Sequence, residues 1–139
     1  MLLFHATFRS RVGNIRRQGL RVPNTRSTLS YEGQTFVPAI YFAKDIEVAI
    51  SFAEAADNVT DRVYDSGIVV LAVEHNKLNQ SRFGKDPNNI SADTLCYYEN
   101  IPREAIYIIN MKNYSKFNHM NVLEPLVNIT RINADYICE

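Results

Sequence analysis

The sequence predicts an α+β domain with largely antiparallel sheet, and three observations carry that expectation. The stretch "IVVLAVEH" (Ile68 to His75) is a nearly continuous apolar run, typical of a strand at the centre of a sheet. Strand-like segments dominate the second half without the regular helical crossovers of a doubly wound parallel fold. Two short segments, each following a strand, place apolar residues three and four apart, as helices do.

Leu2 to His5 reads as the first strand. "RSRVGNIRRQGL" reads as a short helix with Val12, Ile15 and Leu20 inward and Gly19 placed to stop it. Arg21 to Thr35 is polar, contains Pro23 and Gly33, and reads as a long loop of the kind that serves function. Ala39 to Ala43 is a run of β-formers. After Lys44 and Asp45, a helix is expected from Ile46, Ala49, Ile50 and Ala53. Glu54 to Gly67 is polar and turns the chain. Asn76 to Asn89, with Gly84 and Pro87, reads as a loop. Two further strands, "TLCYYENI" and "AIYIINM", flank Pro102. The tail from Asn121 reads as a helix to Glu124 followed by one more strand.

A chain of 139 residues with 46% hydrophobic and 22% charged content fits one globular domain, expected over residues 1–139. No run of about eighteen apolar residues is present, so no membrane span is expected. The start "MLLFHATFRS" lacks the order of a signal peptide, because its basic residues follow the apolar ones. The two cysteines, Cys96 and Cys138, form no Cys-x-x-Cys pair. A structural zinc site is therefore not expected, and a reduced, cytoplasmic compartment is. Net charge is zero from 15 basic and 15 acidic residues, yet six arginines precede the first acid, Glu32. Such asymmetry fits either an anion-binding surface or a solvated arginine face balanced by acids elsewhere.

Glycine-rich nucleotide cradles and the Gly-x-Ser-x-Gly elbow are absent from the sequence. His5, His75 and His119 have no metal-ligand spacing, so no metal is expected. What remains is His5-Ala6-Thr7, the aromatic pair Tyr41 and Phe52, and acids near the late strands. Imidazole and hydroxyl groups can bond ribose or carboxamide. Two rings can hold a flat heterocycle by offset stacking. A carboxylate can bond a ribose hydroxyl and stabilise the cation formed as a glycosidic bond breaks. Taken singly, each residue also suits an edge histidine, core aromatics or a surface acid.

"HAT", "RRQGLRVP", "AIYFAKDIEVAISFA" and "DTLCYYENIPREAIYII" in this order resemble the ADP-ribosyltransferase catalytic domain of the diphtheria-toxin and poly(ADP-ribose) polymerase branch. The resemblance is best over Leu2 to Ala53. It implies a split β-sandwich of two mainly antiparallel sheets with short flanking helices. It also implies NAD as co-substrate and transfer of ADP-ribose to a macromolecular acceptor, protein first and nucleic acid second. It places His5, Ala6, Thr7, Arg21, Arg26, Tyr41 and Phe52 around NAD, with Asp93, His5 and Tyr41 as catalytic residues. Ala6 stands where the family has glycine, Phe52 where it has a second tyrosine, and Asp93 where it has glutamate. Glu99 is the alternative acid. The same resemblance implies a small toxin- or effector-like monomer acting in the cytoplasm of the producing or host cell. A degenerate NAD or ADP-ribose binding module, or an RNA 2′-phosphotransferase-like enzyme, is the alternative.

Overall fold

A computed structural model describes residues 1–23, 38–60, 67–85, 93–114 and 122–138. Seven strands form a single sheet: β1 (Leu2–Phe8), β2 (Ile40–Ala43), β3 (Ile68–Glu74), β4 (Phe83–Lys85), β5 (Thr94–Tyr97), β6 (Tyr107–Ile109) and β7 (Leu123–Pro125). Their order is β4-β5-β2-β1-β3-β6-β7, and every pairing is antiparallel. The α+β expectation is met. The two-sheet expectation is corrected to one hydrogen-bonded sheet. Its weakest join is β1 to β2, which pair only at Phe4 and Ala43.

Side-chain alternation sorts the sheet into two buried faces. Leu3, Val69, Leu71, Val73, Ile40, Phe42, Tyr97 and Ile108 face the first core, which α1 (Arg9–Gln18) covers with Val12 and Ile15. Phe4, Val70, Ala72, Ala43 and Ile109 face the second, which α2 (Ile46–Thr60) covers with Ile46 and Ala49. β3 is closed to solvent from Val69 to Val73, as its unbroken apolar run requires. Among the described residues, no helix is long and apolar enough to cross a membrane.

Several boundaries differ from the sequence expectation. β1 runs on to Phe8, because its whole length pairs with β3. α2 continues to Thr60 through Glu54, Ala55 and Ala56, which are good helix formers, although Asp57 and Asn58 after them read as turn residues. β4 lies inside the expected loop and exists through pairing with β5. The tail strand is Leu123–Pro125, where a helix is expected to reach Glu124. Pro125 has no N–H to give, and β7 is an edge strand, where that loss is tolerated.

Gly19 ends α1 as expected. Its φ is 78°, and its N–H bonds Ile15 O at 2.7 Å. A Cβ there would collide with the carbonyl of Ile101. This close approach lets Leu20 and Ile101 exchange two backbone bonds of 3.0 and 2.8 Å. The chain after α1 is thereby clamped beside the end of β5.

Candidate functional site

Past Phe4 and Ala43 the β1–β2 ladder stops, and the His5 ring takes its place. Nδ1 of His5 lies 2.9 Å from the carbonyl oxygen of Tyr41. A carbonyl only accepts, so Nδ1 carries the proton and Nε2 is the acceptor of the neutral ring. Burial lowers the imidazole pKa below its ordinary value. The Tyr41 bond opposes this, and the Arg11 charge adds to it. Phe42 meets the His5 ring edge-on, with centroids 5.9 Å apart and planes at 65°. His5 is thus held in one orientation.

Thr7 shares the α1 face of the sheet with His5 and is buried opposite Val69. Ala6 points to the α2 face and packs on the second core. Tyr41, partly buried, alternates onto that same face beside Ala43. Phe52 rides on α2 and is 43% exposed, outside both cores. The seam therefore brings His5 directly to the Tyr41 backbone. Tyr41 and Phe52 belong to the α2 side. On this side lies a group that sequence reasoning missed, the hydroxyl of Thr94, which pairs with Ala43 on β5. It is buried without a hydrogen-bond partner among the described residues, an arrangement that costs about 1–3 kcal/mol until some group bonds it.

The two candidate acids lie at opposite ends of β5. Cys96 is the residue opposite Tyr41. Asp93 and Glu99 are each three residues from it, about 10 Å at the rise of a strand. Asp93 is exposed, and its carbonyl accepts the Lys44 N–H at 2.8 Å, beside the β2–α2 junction. Glu99 Oε2 accepts the hydroxyl of Tyr97 at 3.1 Å. That hydroxyl also accepts the Asn79 N–H at 3.2 Å. Burial raises the Tyr97 pKa, the Asn79 bond lowers it, and the Glu99 carboxylate raises it further. The spacing of Tyr97 and Glu99, two apart on a strand, is the signal in "YYE" that could have shown this contact.

Glu99 opens onto a hollow of about 590 Å³ lined by Arg21, Val22, Pro23, Tyr98 and Asn100. The Val22 N–H donates to Asn100 Oδ1 at 2.8 Å, so both walls are tied together. Arg21 thus sits with the alternative acid, past the Ile40 end of β2. Arg26 and most of the loop expected over Arg21 to Thr35 lie outside the described residues. Cys96 is fully buried, and Cys138 is partly buried, with burial and Glu54 pushing its thiol up to about 11. The raised Cys138 pKa is the opposite of what a nucleophilic thiol needs, and Cys96 is closed to solvent.

No protein-family model, no curated protein and no solved structure matches this chain.

Proposed function

We propose that this chain is an NAD-dependent mono-ADP-ribosyltransferase whose site straddles the seam between β1 and β2. The observation that carries the reading is the His5 imidazole, fixed by Tyr41 where the ladder breaks.

The residues at the seam fit the group. NAD would supply a glycosidic bond whose cleavage releases nicotinamide and leaves ADP-ribose for transfer. Nε2 of His5 is poised to accept a ribose hydroxyl, since Nδ1 is committed to Tyr41. Tyr41 and Phe52 offer aromatic surface for the nicotinamide ring on the α2 side. The orphaned Thr94 hydroxyl supplies an unmet polar partner in that wall. Asp93 supplies the carboxylate that orients ribose or acceptor. Its backbone is pinned to the β2–α2 junction, and the residue is exposed.

The reading is tested by incubating the protein with NAD labelled in its adenylate half and a cell lysate. Nicotinamide release and label on a macromolecule, both lost in His5→Ala and Asp93→Ala, is the expected result. Loss in Glu99→Ala with full activity in Asp93→Ala would move the acid to Glu99. NAD binding by calorimetry without nicotinamide release would replace the transferase by a binding module.

A further inference from the structure

The hollow beside Pro23 has a chemistry of its own. Its lining holds one cation, Arg21, one anion, Glu99, the Tyr98 ring, which is 39% exposed, and the amide of Asn100. A phosphate attracted by Arg21 is opposed by Glu99. A cationic side chain attracted by Glu99 is opposed by Arg21. A flat neutral group with donors on one edge and acceptors on another satisfies both.

We infer that the hollow is a guanine-binding subsite for single-stranded nucleic acid, serving as acceptor in the transferase reading, on which only the acceptor role rests. Guanine presents N1–H and N2–H₂ side by side to a carboxylate, and O6 and N7 to a guanidinium. Adenine, cytosine and uracil each turn an acceptor toward the carboxylate next to their donor. Tyr98 supplies a stacking face.

The parts of this subsite are held in place. The Tyr97 hydroxyl, on a ring that is 2% exposed, fixes the Glu99 carboxylate. Phe83 lies 4.7 Å from that ring between centroids, and His75 lies 4.5 Å from Phe83. The Tyr98 ring rests on Gly84, where a Cβ would fall 2.6 Å from Cε2. Asn100 Oδ1 is committed to Val22, which leaves its NH₂ as the donor end. The helix leading into the hollow supplies the field for a phosphate backbone. α1 carries Arg9, Arg11, Arg16 and Arg17 and no acidic residue, and its last turn leads through Gly19 to Arg21.

Fluorescein-labelled thymidine heptamers with a central dG, dA or dC test this by anisotropy, without NAD and at low salt. The dG oligomer should bind about 10-fold more tightly than the others, the scale of one bidentate base contact. Glu99→Gln should erase the preference. Tyr97→Phe, which keeps the ring packing, should shrink it several-fold with the melting transition still cooperative. Arg17→Ala should weaken all oligomers alike. Asp93→Ala should keep the dG preference whether or not NAD is cleaved, which separates failure here from failure of the transferase reading. Equal affinity for all three oligomers, tighter binding of dA, a preference that survives Glu99→Gln, or no oligomer affinity with label found on protein alone would each overturn the inference.

Discussion

The seam between β1 and β2 is walled by strands, whereas the hollow at Arg21 and Glu99 is walled by chain that has left them. At the seam, one imidazole bond stands in for a missing ladder, and buried Phe42 holds the ring edge-on. At the hollow, exposed side chains are steadied from behind by Tyr97, Gly84 and the Leu20–Ile101 clamp. The seam is therefore part of the core, and damage to it should spread through the fold. The hollow is bolted onto the core, and damage to its supports should stay local unless the clamp itself fails.

Phe42→Ala should cause the largest loss. Phe42 is fully buried in the first core and contacts His5, so truncation should cost about 3–5 kcal/mol, read by denaturant unfolding. Gly19→Ala should come next, at about 2–4 kcal/mol. It adds a Cβ at positive φ against the Ile101 carbonyl, so the melting temperature should fall and the hollow should open with it. Were Gly19→Ala harmless, the clamp would not be what joins the hollow to the core.

The third effect depends on pH. The folded pKa of His5 lies below its unfolded value of about 6.5. As pH falls below that value, the unfolded chain takes up the proton first. Stability from this group is therefore full above about pH 6.5, falls from there to the folded pKa, and then levels. The slope cannot exceed about 1.4 kcal/mol per pH unit. Melting curves should show this fall in the native protein and its loss in His5→Gln, which keeps a donor for Tyr41. The smallest effect should be Tyr97→Phe, at about 1 kcal/mol for the two hydroxyl bonds to Asn79 and Glu99. A loss as large as that of Phe42→Ala would show the hollow to be as deep in the core as the seam.

Much of the frame was legible because hydrophobic pattern is local. Ile68 to His75 reads as a central strand, and Gly19 after "NIRRQ" reads as a helix stop; the structure has both, as Ile68–Glu74 and the end of α1. Phe83-Gly84-Lys85 was illegible, since three residues have no period to read and become a strand only beside Leu95 to Tyr97. The same holds for Leu123-Glu124-Pro125, where the proline masks an edge strand. His5 and Tyr41 were named from residue type and order, but their bond spans 36 positions and depends on where a ladder ends. Glu99 alone reads as a surface acid, and only its two-residue spacing from Tyr97 hints that the Tyr97 hydroxyl fixes it.

By itself the sequence determined which stretches bury, where α1 stops, and which side chains are chemically equipped to handle a ribose or a carboxylate. Only the tertiary structure decided that β1 and β2 meet at a single pair, that Asp93 and Glu99 stand at opposite ends of one strand, and that Arg21 faces Glu99's hollow. Periodicity and propensity act over a few residues, whereas strand register and the meeting of distant loops are set by how the whole sheet closes its two cores.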